Sequence, residues 1–278
     1  MARCSLTSTH PSAPPGKVVV FVSGKGGVGK TIIALNIGIF LARRHARVIL
    51  LDADFGLANA DILLDVSPLA DLADLLHDDR PLEELLVEGP DGLRVLCGVS
   101  GPVRPGQPAR PDANAWARAI RRLAAACETL LVDCGAGFTP PIASVALLSD
   151  LLVLVTTPEP TALTDAYAVL KLLCRHGFAK RVGVIVNMVK SRREGPEVAG
   201  RLARVAGRFL GLSIEYLGQV QLDPHVSRAV RERVPLAQRY PRCRASVCLD
   251  EISRRTGPDR AASDPAAGWW TRVASLFL

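Results

Sequence analysis

The residues best suited to chemistry follow the first apolar run of the chain. Lys17–Ser23 (KVVVFVS) leads into Gly24-Lys25-Gly26-Gly27-Val28-Gly29-Lys30-Thr31, which fits the pattern G-x-x-x-x-G-K-[ST] between a strand and a helix. Glycines let consecutive backbone N–H groups curve around a phosphate, and the helix N-terminus adds its positive end. In that arrangement Lys30 bridges the β- and γ-phosphates and the Thr31 hydroxyl ligates Mg²⁺. A dinucleotide site also uses a Gly-rich first turn, but it has no use for a Lys-Thr pair at these positions.

A triphosphate site needs further acids at neighbouring strand ends. Leu130-Leu131-Val132-Asp133 is an apolar run ending in a carboxylate, followed by Cys134-Gly135-Ala136-Gly137, so Asp133 fits the acid that holds the metal's water shell. Asp52 and Asp54 close another apolar run, Arg47–Asp52, and strand alternation expects both carboxylates on one side of the chain, near the phosphates. They are candidates to hold Mg²⁺ water and to orient the attacking water. Phosphoryl transfer asks mainly for positioning and electrostatics, so a water-placing Asp suffices.

These side chains need a scaffold, and the hydrophobic pattern supplies one. Apolar β-branched runs at 17–23, 47–52, 93–99, 129–133, 150–156, 181–187 and 214–220 alternate with helical spacing over 31–43, 114–126, 161–175 and 196–209. Such alternation predicts an α/β fold, a single domain with a mostly parallel sheet covered by helices on both faces. The expected organisation is a disordered leader over 1–16, the domain over 17–256, a linker over 257–268 and an amphipathic helix over 269–278.

Composition narrows the class. The chain has 278 residues, 49% hydrophobic and 22% charged, which excludes collagen-like, coiled-coil and wholly disordered chains. It contains no apolar run of 18 residues, and its first 17 residues are too polar for a signal peptide, which points to the cytosol. The net charge of +7 is uneven: residues 52–91 carry −11, and the last 88 residues carry +6, with fifteen Arg. That asymmetry suits a polyanionic partner on one face, or reflects only a preference for Arg over Lys. Seven cysteines form no disulfide framework in such a chain, and Cys243 and Cys248 lie in a basic segment without a neighbouring His, a weak metal signal.

With these segments placed, residues 17–240 resemble the MinD/ParA family of P-loop ATPases with a deviant Walker A motif. The most specific mark is Lys25, the extra lysine of the GKGGVGKT loop. The resemblance implies that Lys25 reaches the ATP of a second copy in a face-to-face dimer. Opposing cationic loops would repel without the bound anions, which makes such a dimer ATP-dependent. It further implies that Asp54 is the catalytic acid of a switch and Asp52 its metal-side support. Asn187 is implied to read adenine, and Gly218–Asp223, with Val226 and Ala229, to flank the base. Gln221 stands where the family usually has Pro. Within the family, Asp52–Asp61 is most like the MinD branch and its flagellar-number regulators, although the Gln-containing leader helix common in the flagellar group is missing from 1–16.

The chain ends in Trp269-Trp270-Thr271-Arg272-Val273-Ala274-Ser275-Leu276-Phe277-Leu278. At helical spacing its two tryptophans, Val273, Ala274, Leu276 and Phe277 span an arc of about 160°. This suits a bilayer interface, reinforced when two tails act together, or a helix folded back on the body. The expected function is an ATPase that cycles between an ATP-bound dimer and a released state, engaging the inner face of the membrane and an unidentified partner that stimulates hydrolysis. Competing readings are a partition ATPase binding nonspecific DNA through the Arg-rich third, and an iron–sulfur carrier of the same fold using the thiols.

Overall fold

The computed structural model describes residues 15–54, 59–77, 80–99 and 112–258. The chain opens with β1 (Lys17–Ser23), α1 (Lys30–Ala42) and β2 (Val48–Ala53), as the pattern predicts. Three short helices follow, α2 (Ala60–Leu64), α3 (Leu72–His77) and α4 (Leu82–Leu85), then β3 (Val87–Glu88) and β4 (Arg94–Leu96). Next come α5 (Ala113–Ala125), β5 (Thr129–Ala136), α6 (Pro140–Leu148), β6 (Leu151–Thr156) and α7 (Pro160–Arg175). The last third holds β7 (Val182–Val189), α8 (Glu194–Leu210), β8 (Ile214–Gln221), α9 (Pro224–Glu232), α10 (Leu236–Arg239) and α11 (Arg244–Thr256).

The strands form one sheet in the order β3-β4-β2-β5-β1-β6-β7-β8. All pairings are parallel except β3 with β4. Parallel neighbours require crossovers, and helices on both faces explain why β1 is apolar throughout rather than alternating. Val18, Val20 and Val22 join a core completed by α3, α5, α6, α7 and α8. Val19 and Phe21 join the opposite core, formed by α1, α10 and α11. A buried polar link fixes α1 on that side: the backbone N–H of Ala237 donates to Asn36 Oδ1 at 2.7 Å.

Several elements depart from the expected pattern. The strand expected at 93–99 is three residues long and gains a short antiparallel partner in β3. The short helices α2, α3, α4 and α10 carry too few apolar turns for periodicity to mark them, and α9 and α11 are longer but bury mainly small side chains, with Leu249 and Ile252 the large apolar ones in α11. The leader expected over 1–16 lies outside the described residues except for Pro15 and Gly16, and the Gly16 N–H is already bonded to Ala124 O at 2.8 Å. Residues 259–278, with most of the expected linker and the terminal helix, are also outside the described part, as is the Pro- and Gly-rich stretch 100–111. Among the described residues no helix is long and apolar enough to cross a membrane.

Candidate functional site

A cavity of about 1210 Å³ opens beside the C-terminal ends of β1, β2 and β5. Lys25–Thr31, Asp54, Gly135 and the first turns of α9 line it. This is the edge where open parallel sheets bind ligands, because helix N-termini and loop N–H groups converge there. The loop cannot be built from ordinary residues. Gly29 has φ +86°, and a Cβ at its position would stand 2.4 Å from the Asn187 carboxamide nitrogen. Helix α1 has neither a side-chain N-cap nor an acid in its first turn, which leaves its N-terminal amides to an anion.

Lys30 and Asp133 meet behind the loop, with Nζ 2.6 Å from Oδ1, and the two side chains are 7% and 1% exposed. Burial alone would lower the Lys30 pKa, but the charge of Asp133 and its hydrogen bond outweigh that and hold the ammonium above its usual value. The second oxygen, Asp133 Oδ2, is buried without a hydrogen-bond partner among the described residues. An orphaned carboxylate oxygen beside a Lys-Thr loop is a natural place for a hydrated Mg²⁺. Thr31 lines the cavity close by. The donor set therefore fits ATP with Mg²⁺.

The two acids after β2 part ways. The strand ends at Ala53, so alternation stops before Asp54. Asp54 lines the cavity, whereas Asp52 is buried and occupied. Asp52 Oδ1 accepts from the Asp54 N–H at 3.1 Å, and Oδ2 accepts from the N–H groups of Asn59 and Ala60 at 3.0 and 3.1 Å. Metal-side support is the expectation for Asp52; the geometry adds that both its oxygens hold the loop that follows β2. Burial, reinforced by the charge of Asp133, raises its pKa to about 6 despite these three bonds. A carboxyl with a raised folded-state pKa stabilises the fold fully below its unfolded value near pH 4, and that contribution is lost as pH rises through about 6. In metal-free and nucleotide-free solution the loss amounts to roughly 3 kcal/mol. The difference in unfolding free energy between wild type and Asp52→Ala should shrink by that amount from pH 4 to 7. A difference independent of pH would contradict the assignment.

Asp54 is half-buried, and burial raises its pKa against the lowering pull of Lys30. Its carboxylate packs on Gly135, where an added Cβ would lie 3.0 Å from Oδ1. Gly135→Ala is thus expected to displace the carboxylate by a few tenths of an ångström. A shift of that size lowers turnover about tenfold while ATP affinity changes little. Steady-state ATPase assays with a nucleotide titration check this.

Lys25 is solvent-facing and pairs with Glu159 at the start of α7, Nζ to Oε2 being 3.2 Å. Asn187 is 9% exposed; it donates to Val28 O at 2.7 Å and accepts from the Met188 N–H at 2.9 Å. Met188, with φ +59°, forms the cavity wall beside it. The carboxamide expected to read adenine is therefore already tied to the phosphate loop, and only its second N–H and second lone pair remain. Val226 of the expected base-flanking segment lines the cavity, while Gln221 lines a separate groove between β8 and α11. Cys97 and Cys134 are buried, and burial pushes both thiols up to about 12. Sequence reasoning missed the Lys25–Glu159 pair, the Gly135–Asp54 contact and the anchoring role of Asp52. Only the Gly after Cys134 hinted at any of them.

A Gly-Lys-Thr loop, a strand-end carboxylate and a second acid around one cavity of a parallel sheet define a P-loop nucleotide-binding protein. The chain belongs to the CobQ/CobB/MinD/ParA nucleotide binding domain family, whose pattern matches residues 19–236. It is similar to the antiactivator FleN of Pseudomonas aeruginosa, 34% identical over 244 residues that cover 88% of this chain and 87% of that protein. It is also similar to the flagellum site-determining protein YlxH of Helicobacter pylori, 32% identical over 85% of this chain and 80% of that protein. Among solved structures, the septum site-determining protein MinD complexed with Mg-ADP from Pyrococcus horikoshii OT3 matches with a TM-score of 0.72. It is 26% identical, over 91% of this chain and 99% of that one.

Proposed function

We propose that this protein is an ATP-driven dimeric switch that sets the number or position of flagella, or of the division site, at the inner face of the membrane. The observation that carries the reading is the placement of Lys25. It is a second loop lysine, exposed at the cavity mouth and paired, among the described residues, with an exposed Glu159. Surface pairs of this kind contribute about 0–1 kcal/mol, so Lys25 is free to reach an anion on another copy. The names of the flagellar and septum-site relatives supply the biological class.

In the proposed cycle the loop amides and Lys30 hold the β- and γ-phosphates, and Lys30 exchanges the Asp133 carboxylate for phosphate oxygens. Thr31 and Asp133 hold the metal, which when bound neutralises the phosphate oxygens as charge builds on them. Asp54 orients the attacking water and accepts its proton, Asp52 pins the loop that carries Asp54, and Asn187 clamps the phosphate loop at Val28. Products are ADP and phosphate. Gly257 O is held by Lys17 Nζ at 2.9 Å, at the start of β1 and so at the strand ends opposite the phosphate loop. Two tails brought together by the dimer raise membrane avidity, and hydrolysis lowers it.

The test pairs light scattering with vesicle sedimentation. Asp54→Ala with MgATP is expected to be dimeric, and with MgADP monomeric. Full-length protein is expected to sediment with anionic vesicles in ATP, and protein lacking 268–278 to stay in solution. A monomer at all concentrations in MgATP would overturn the switch. Salt-sensitive, ATP-dependent binding to random duplex DNA without vesicle binding would replace the membrane by DNA.

A further inference from the structure

Three side chains of ligand type converge away from the phosphates. Asp223 is the N-cap of α9, His225 follows two residues later, and Cys243 is the N-cap of α11. One ligand atom from each lies within 4.8 Å of the others. Asp223 Oδ1 accepts from His225 Nδ1 at 2.7 Å and from the His225 N–H at 2.9 Å, and Oδ2 accepts from the Ala245 N–H at 3.2 Å. The Asp223 side chain is 4% exposed and that of His225 39%, so the cluster has a closed floor and an open mouth. The His225 ring leans on Tyr240, with centroids 4.7 Å apart, which fixes its plane.

The order of these groups decides their chemistry. A nucleophilic cysteine needs an imidazole placed to take its proton. Here the ring Nδ1 is bonded to the Asp223 carboxylate at 2.7 Å, while the thiol donates to Ser246 Oγ at 3.4 Å and accepts from the Ser246 N–H at 3.5 Å, so the imidazole is not placed on the sulfur. A convergent set of one sulfur, one nitrogen and one oxygen donor is what remains. That mixture suits a borderline-soft divalent ion and is wrong for Mg²⁺, which takes oxygen ligands. Metal bonds of about 2.0–2.3 Å in a tetrahedral site place ligand atoms roughly 3.3–3.8 Å apart, within side-chain adjustment of the present spacing. Asp223 and Cys243 sit at the N-termini of α9 and α11, so one ligand comes from the start of each helix.

We propose that Asp223, His225 and Cys243 form a binding site for a thiophilic divalent transition-metal ion such as Zn²⁺, with the fourth position open to water. Binding releases the thiol proton and leaves the imidazole neutral, its remaining proton on Nε2. The ion would join the first turns of α9 and α11, and α9 lines the nucleotide cavity through Val226 and Val230. Sequence reading found only a weak signal at Cys243 because its partners lie about 20 residues upstream, across a strand end and two short helices.

The test titrates the reduced full-length protein anaerobically with Co²⁺ as the spectroscopic probe. One equivalent is expected to give a thiolate-to-Co²⁺ charge-transfer band with tetrahedral ligand-field bands, bleached by one equivalent of Zn²⁺ and unaffected by excess Mg²⁺. The band should disappear in Cys243→Ser, which keeps an N-cap oxygen, and persist in Cys248→Ser. His225→Ala should weaken Co²⁺ binding at least tenfold, and it decides the matter if Cys243→Ser fails to fold by circular dichroism. No charge-transfer band in the wild type, a band that survives Cys243→Ser, or an unchanged affinity in His225→Ala would overturn the proposal.

Discussion

Lys30→Met is expected to abolish nucleotide binding and also to lower the stability of the empty protein. The two losses have separate causes. The first is the missing cation at the β- and γ-phosphates. The second arises because Asp133, 1% exposed and with Oδ2 unpartnered among the described residues, loses the buried ammonium that offsets its charge. Removing one partner of a buried pair costs about 3–5 kcal/mol, because it leaves an uncompensated charge in a poorly solvating interior. Adding Asp133→Asn to Lys30→Met removes that charge, so chemical denaturation should show most of the stability restored. Equilibrium binding of a fluorescent ATP analogue should show no restoration at all. Recovery of both together would mean that Lys30 acts on nucleotide only through the fold.

Asp54→Ala is expected to lower ATP turnover by about 10²- to 10⁴-fold while ATP affinity stays near wild type. The Asp54 carboxylate makes no hydrogen bond among the described residues, and its backbone N–H bond to Asp52 survives in alanine, so removal leaves no buried partner unsatisfied and the melting temperature should barely move. Asp54→Asn separates two roles within that loss. An amide still orients a water but accepts no proton, so substantial residual activity would assign positioning, and a loss equal to that of alanine would assign proton transfer. Normal hydrolysis by Asp54→Ala, measured as phosphate release, would remove Asp54 from the chemistry.

Much of this arrangement was legible in the sequence because it depends on local covalent spacing. The run from Lys17 to Thr31 states its own strand, turn and helix, and the apolar runs ending at Ala53 and in Asp133 declare buried parallel strands by their lack of alternation. The relations between those segments were not legible. Nothing in the spacing says that Asp52 turns inward to collect three backbone amides, since that depends on where β2 stops. Asn187 was visible as a strand-end carboxamide, but its bond to Val28 joins residues 159 positions apart. The cluster at Cys243 shows the same limit, because helix capping rather than periodicity brings its members together. The short helices α2 to α4 follow tertiary contacts, and each is too short to carry a hydrophobic stripe.

The bonds of Asp52 have one more consequence. A single carboxylate ties the N–H of residue 54 to those of residues 59 and 60, where α2 begins. In the proposed cycle, a change at the γ-phosphate that shifts Asp54 would be carried through Asp52 to the first turn of α2, where Ile62 stands 51% exposed at the rim of the nucleotide cavity.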